Sequence, residues 1–342
     1  MTSLIWQSTL SGTDVDGIES LLAAAERVDG SGPISEDVRL TLQPGLRVGS
    51  GRHLLAVGTA SGGPTVHGGA AAPGGSREIV GYAHLGGDGA GRQAEVVVHP
   101  TQRRHGVGRA LAEALTQAAG PPPAQLDVWA HGDLPSAAAL ADRLGFTRAR
   151  VLFQLRRPLD AGPPLASPTL PPGVGVRTFV PGQDDEGWLA VNAAAFADHP
   201  EQGRWTRTDL ALRQAEPWFD PAGFFVAERE GRIVGFHWTK VHDVDATPPP
   251  AATGAPIGRG GPIGEVYVVG VLPGAGGAGL GRALTLTGLR HLQARGLASV
   301  LLYVDEDNER AVRMYTALGF TEYARDVSYH WSDQAGDREI IG

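Results

Sequence analysis

An internal repeat constrains this chain more than any other feature. Residues 96–115, VVVHPTQRRHGVGRALAEAL, match residues 269–288, VGVLPGAGGAGLGRALTLTG. Pro100 aligns with Pro273, Gly106 with Gly279, Gly108 with Gly281, and Arg109-Ala110-Leu111 with Arg282-Ala283-Leu284. Two further blocks repeat in the same order. IVGYAHL (79–85) and IVGFHWT (233–239) precede this block; LDVWAHGDLPSAAALADRLGFTRAR (126–150) and LYVDEDNERAVRMYTALGFTEYA (302–324) follow it. Three blocks in one order indicate two copies of one folding unit rather than a chance match. A length of 342 residues suits two domains, at roughly 150 residues each, and each copy has chain enough to bury its own core.

Both copies read alike. A helical pattern opens each, over 15–28 and 184–197. Strands follow over 53–59 and 79–85 in the first, and over 223–229 and 233–241 in the second. A β-branched strand (94–98; 264–271) then runs into the glycine turn and a helix. Another strand (125–129; 299–304), another helix and a closing strand after Gly-Phe complete the unit. The expected class is α/β: two tandem domains, each a mixed, mostly antiparallel central sheet flanked by helices. The expected boundaries are 1–155 and 173–342, with the proline-rich segment 156–172 as linker. Segments 61–77 and 243–262, rich in Gly, Pro and Ala, read as hairpin insertions.

Composition narrows the function. The net charge is −8, with no basic footprint for nucleic acid. No apolar run approaches the ~20 residues of a membrane span, and the first residues lack the pattern of a signal peptide. There is no cysteine, which excludes disulfides, thiolate metal sites and a Cys nucleophile. His84, His105, His199, His237, His242 and His291 show no metal-ligand spacing, so no metal is expected. Trp188, Trp205, Trp218 and Phe219 read as core or pocket wall. The expectation is a cytoplasmic monomer acting on a small molecule, with neither nucleic acid nor membrane as partner.

The strand, glycine turn and Arg-Ala-Leu helix are the candidate for the chemistry; taken alone, such a turn is also a plain strand-to-helix connection. Glycines let the backbone approach a ligand closely, and free N–H groups at a helix N-terminus face it. The helix dipole adds favour for negative charge, so a diphosphate is the usual guest. A dinucleotide fold would place such a turn after its first strand; here it comes late in each half.

The turn resembles the Gln/Arg-x-x-Gly-x-Gly/Ala signature of the GNAT N-acetyltransferases. In the first half it is Arg103-Arg104-His105-Gly106-Val107-Gly108. The block Asn308-x-x-Ala311-x-x-x-Tyr315-x-x-x-Gly319-Phe320 is similar to that superfamily's other hallmark. Over nearly the whole chain the sequence resembles the tandem-domain mycothiol synthases, on PISEDVRL (33–40), AAFADHPEQGRWT (194–206), GEVYVVGVLP (264–273) and 302–320. That resemblance implies acetyl transfer from acetyl-CoA, as co-substrate, to the cysteinyl amine of desacetylmycothiol. Other acceptors, an aminoglycoside or a protein N-terminus, remain open, as does a non-catalytic acyl-CoA-binding role.

The resemblance also implies roles residue by residue. Glu265 is the expected base; alternatively it is a strand-end carboxylate facing solvent. Tyr315 is the expected acid for the leaving thiolate, or else an aromatic packed on the sheet. Asn308 caps its helix or touches CoA. Substrate contacts carry over to Glu36, Glu201, Lys240, Glu265 and Tyr303. One CoA cradle comprises Val269, Gly270, Val271, Gly276, Gly277, Ala278, Gly279, Leu280, Gly281 and Arg282. The run Asn308, Glu309, Arg310, Ala311, Val312 and Arg313 joins it. The first-half cradle, for a second CoA, comprises Val96, Val97, Val98, Arg104, His105, Gly106, Val107, Gly108 and Arg109. The repeat places Arg92 opposite Glu265, Ala141 opposite Tyr315 and Leu134 opposite Asn308. The first half is therefore expected to be silent. The Gln/Arg slot of the second half holds Gly276, a departure from the signature.

Overall fold

The computed structural model describes residues 2–46, 51–59, 77–87, 91–120, 124–197, 199, 202–242, 261–275 and 279–333. The chain divides into two units: Met1–Val151 together with Arg325–Gly342, and Leu152–Ala324.

The first unit contains β1 (Ser3–Gln7), α1 (Gly12–Asp29), α2 (Glu36–Leu40), β2 (Arg52–Thr59), β3 (Arg77–Gly86), β4 (Gln93–Val98), α3 (Val107–Ala118), β5 (Gln125–Ala130) and α4 (Pro135–Arg143). Its sheet runs β1-β2-β3-β4-β5 and ends on β12 (Thr321–Ser332). Every pair is antiparallel except β4 with β5. Alternation along the strands sends side chains to both faces. Leu54, Ala56 and Val80 pack with Val107, Leu111 and Leu115 of α3. Leu55, Ile79 and Tyr82 pack with Ile18, Leu21 and Leu22 of α1. Ser11 starts α1 with a reciprocal capping box to Asp14, and Gly30 ends it in the left-handed region.

The second unit contains β6 (Thr147–Pro158, from Leu152 onward), β7 (Val174–Thr178), α5 (Asp185–Ala195), α6 (Arg207–Gln214), β8 (Phe224–Arg229), β9 (Arg232–His242), β10 (Ile263–Val271), α7 (Leu280–Ala294), β11 (Ser299–Asp305) and α8 (Glu309–Ala317). The sheet order is β7-β8-β9-β10-β11-β6, again antiparallel apart from one parallel pair, β10 with β11. One face carries an aromatic core in which Trp188 of α5 meets Phe224, Phe236 and Trp238 edge-on. The other packs Leu286, Leu289 and Leu292 of α7 with Val300 and Leu302. The expected mixed, mostly antiparallel sheets are present in both units. No helix among the described residues is long and apolar enough to cross a membrane.

The partition differs from the linear one expected. Segment 156–172 is not a free linker. Leu152–Pro158 pairs antiparallel with β11. Leu159 and Leu165 are buried in the core of the second unit. Arg157 donates to the carbonyls of Leu318 and Pro163 at 2.6 Å. In turn, Val327–Ser332 pairs with β5 and completes the first unit. Each closing strand thus serves the sheet of the other repeat. The edge strands β1 and β7 and helices α2 and α6 were not anticipated. The expected hairpin insertions lie outside the described residues over 61–76 and 243–260.

Candidate active site

Strand β10 pairs with β11 only at Gly264↔Val300 and Glu265↔Leu301. From Val266 onward its ladder runs to β9 alone, with a bulge between Val266 and Val268. The peptide groups on the β11 side beyond Glu265 therefore have no strand partner, and the two parallel strands part there. A parted parallel pair offers hydrogen-bonding backbone to an extended ligand. Val269–Val271, expected to cradle CoA, lie along this stretch.

The helix that follows suits an anion. Gly279 caps α7 at φ 82° and supplies no side-chain cap. Among the described residues an added Cβ at Gly281 would meet only Val271, at the ordinary contact distance of 3.7 Å. Leu280 is buried as an anchor, and Arg282 is exposed. Gly276, Gly277 and Ala278 lie outside the described residues. The first unit repeats the arrangement. β4 pairs with β5 only from Gln93 to Glu95, leaving Val96–Val98, and Gly106 caps α3 at φ 87° without a side-chain bond. Arg104 has φ 65°; His105 is exposed and Val107 buried. A Cβ at Gly108 meets only ordinary contacts, and Arg109 pairs with Glu113. The signature's Arg103 braces the turn: it donates to the Val98 carbonyl at 3.1 Å and bidentately to Asp29 at 2.6 Å.

Glu265 occupies the last paired rung before the strands part, and it is buried, at 6% exposure. It is not a solvent-facing strand-end residue. Its Oε2 lies 2.6 Å from His242 Nε2, and Lys240 is its direct cross-strand partner. Burial alone would raise its pKa. The hydrogen bond and charge of His242, with the charge of Lys240, override burial and hold it below the usual carboxylate value. Lys240 places its Nζ 4.3 Å from the Trp218 ring centroid and 5.3 Å from that of Tyr267. Arg213 donates to the Tyr267 hydroxyl at 2.8 Å and stacks over Trp205 at 3.8 Å. Trp205 and Trp218 are partly buried against the core that contains Trp188. His242 was missed as a site residue. Its position two residues beyond Lys240 on a strand, hence on the same face, was the available signal.

Tyr315 sits on α8 among buried apolar residues that include Val266, Leu302 and Val304. Its ring meets Phe320 edge-on at 5.7 Å. Burial pushes its phenol above the ordinary value of 10.0, so it stays protonated. The side chain is packed in the apolar cluster, and its proton is retained. Asn308 caps α8, accepting from the Ala311 N–H at 3.1 Å. Glu309 and Arg313 pair one turn apart, and Arg310, Ala311 and Val312 continue the same helix. Tyr303, on β11, is 46% exposed and accepts from Gln154. Glu36 opens α2 in the first unit. Glu201 lies outside the described residues. Among the described residues no group of His, Asp and Glu could hold a metal ion.

Strand register corrects one pairing of the repeat. Gly86 pairs with Gln93 as Lys240 pairs with Glu265. The extra residue of the β10 bulge shifts the count, so the slot of Glu265 holds Gln93, not Arg92. Ala141 and Leu134 keep their slots: α4 and α8 are each nine residues long and begin at matching positions of the repeat, and Leu134 caps α4 without a side-chain bond.

Comparison with known proteins agrees with this architecture. Residues 189–320 match the Acetyltransferase (GNAT) family, and residues 71–148 an Acetyltransferase (GNAT) domain. The chain is 72% identical to the mycothiol acetyltransferase of Frankia alni, covering 98% of this chain and 96% of that protein. It is 51% identical to that of Thermomonospora curvata, covering 96% and 97%. Among solved structures, a tandem GNAT protein from the clavulanic acid biosynthesis pathway shares the fold at TM-score 0.67 and 20% identity, over 99% of this chain and 100% of that one. A GCN5-related N-acetyltransferase from Sphaerobacter thermophilus aligns at TM-score 0.63 and 25% identity, over 96% and 95%. The chain is a tandem-domain GNAT N-acetyltransferase and belongs to the mycothiol acetyltransferase family.

Proposed function

We propose that the chain transfers the acetyl group of acetyl-CoA to the cysteinyl amine of desacetylmycothiol (Cys-GlcN-inositol), giving mycothiol and CoA. The observation that carries the reading is Glu265: a buried, ionised carboxylate on the last rung before β10 and β11 part. Glu265 takes a proton from the acceptor ammonium. The freed lone pair forms the C–N bond at the thioester carbon, and the C–S bond breaks. Tyr315 gives its proton to the departing thiolate and regains one as the nitrogen loses its second. Lys240, Glu265, Tyr303 and Glu201 contact the acceptor; for Glu36 the same role rests on the family resemblance alone. Backbone of Val269–Val271 and the α7 N-terminus hold the CoA diphosphate, with Asn308–Arg313 alongside. The first unit, with Gln93, Ala141 and Leu134 in the corresponding slots, does no chemistry; its Val96–Val98 and Arg104–Arg109 hold a second CoA. A net charge of −8 supports a small-molecule acceptor over nucleic acid, and the working form is a cytoplasmic monomer.

The test is an acceptor screen with acetyl-CoA that reads released CoA, with desacetylmycothiol beside simple amines. Turnover confined to other amines overturns the acceptor assignment. Glu265→Gln is expected to lower turnover roughly 10²–10⁴-fold with acetyl-CoA binding retained; an unchanged rate removes Glu265 as base.

A further inference from the structure

Glu265 is a buried carboxylate, and a buried carboxylate left to itself takes up a proton and ceases to be a base. What keeps it charged is local and specific. The charged and titratable groups acting on it are His242 and Lys240, both on β9. On its other side the rung is Leu301 of β11. Along β10 its neighbours are Gly264 and Val266, and Leu292 of α7 lies against Gly264. Of these two, Lys240 directs its Nζ toward the rings of Trp218 and Tyr267. His242 alone among the described residues makes a hydrogen bond to the Glu265 carboxylate, at 2.6 Å to Oε2. That leaves Oε1 to meet an acceptor. The His242 side chain is 34% exposed against 9% for Glu265, so the imidazole reaches solvent to a degree the carboxylate does not.

We propose that His242 is a positioning residue for the acetyl transfer: its Nε2–H fixes the Glu265 carboxylate by Oε2 and presents Oε1 to the acceptor amine. The inference rests on the reading of Glu265 as base. His242 touches neither substrate nor the reacting atoms in this role. It acts through Glu265, by supplying the one strong donor that burial has removed elsewhere. A charge-assisted hydrogen bond of this length is of the strong kind. Lys240, the direct cross-strand partner, adds charge but not the bond.

Two variants separate this role from plain packing. His242→Phe keeps a ring of similar size and removes the donor; His242→Gln keeps an N–H donor. The ionisation midpoint of the Glu265 carboxyl is read by carbon NMR in the full-length protein labelled at glutamate, without turnover. The midpoint is expected to rise by about one pH unit in His242→Phe, and less in His242→Gln. The acid limb of kcat/KM should move upward with it, while the KM for acetyl-CoA stays constant. An unmoved midpoint in His242→Phe overturns the inference. A midpoint that moves while the acid limb does not, or wild-type turnover in Glu265→Gln, removes the base reading instead and leaves the His242–Glu265 pair standing.

Discussion

Burial raises the pKa of both groups proposed for proton transfer, and the outcome differs because only one has neighbours that oppose it. Tyr315 has apolar surroundings and keeps its proton. Glu265 has His242 and Lys240 and gives its proton up. One buried acid and one buried base at neutral pH follow from two environments that differ in their polar neighbours. Tyr315→Phe is a clean probe, since the ring still fills its place beside Phe320. The expected result is a fall in kcat of roughly 10²-fold or more, with the thermal midpoint nearly unchanged. Unaltered turnover would reduce Tyr315 to a packing role. Glu265 and Tyr315 were legible from their place in the repeat. His242 was not, because a histidine beside a Gly/Pro-rich stretch carries no motif; its meaning comes from the cross-strand diagonal to Glu265.

The parted strands and the glycine-capped helix form one device. Glycines in it divide into two kinds that sequence alone does not separate. Among the described residues a Cβ at Gly281 meets only Val271, at 3.7 Å; at Gly288 it would collide with the His237 ring. Gly281→Ala should therefore keep the thermal midpoint yet raise the KM for acetyl-CoA about tenfold, since the methyl enters the anion's space. Gly288→Ala should cost about 1–3 kcal/mol of stability through overpacking. Unfolding and initial-rate measurements on the pair of variants decide the matter. The bulge in β10 explains why the repeat misassigned one slot: an ungapped comparison cannot register one inserted residue.

A second polar cluster, in the first unit, is structural. His131 lies between Glu95, at 3.5 Å, and Asp326, at 3.2 Å. Glu95 also accepts from the Ser35 N–H at 2.7 Å, and Asp326 from the Gly132 N–H at 2.8 Å. Burial would lower the His131 pKa, but its two carboxylate partners outweigh burial and raise it from 6.5 to about 10. Its contribution to stability is thus complete below pH 6.5 and lost as pH rises through about 10. Glu95 is held below its ordinary 4.5, so its share is present above that value and lost on acidification. The thermal midpoint of the wild type should therefore exceed that of His131→Asn most between about pH 4.5 and 6.5. The gap should shrink by pH 10. A constant gap across this range would show that the variant loses packing alone.

At the scale of the whole molecule, the two-unit organisation and nearly every central strand were legible from the repeat. The exchange of closing strands was not. The stretches after Gly145-Phe146 and Gly319-Phe320 have the same local pattern, and a strand's alternation does not say which sheet it joins. The difference matters for any attempt to isolate a unit. A fragment ending near residue 160 keeps Leu152–Pro158 without β11 and lacks Val327–Ser332. Deleting 325–342 from the full chain should expose the β5 edge and make the first unit, far away in sequence, the early site of proteolytic cleavage. Cleavage beginning instead in 152–324 would count against the exchange. The order of synthesis is affected as well. Residues 152–324 form a contiguous unit that can close as soon as it clears the ribosome, whereas Asp127 must wait for His330, 203 residues later, to arrive at its side. The part translated first is therefore the part finished last, and until Val327–Ser332 has been made β5 presents an unpaired edge of the kind that chaperones shield.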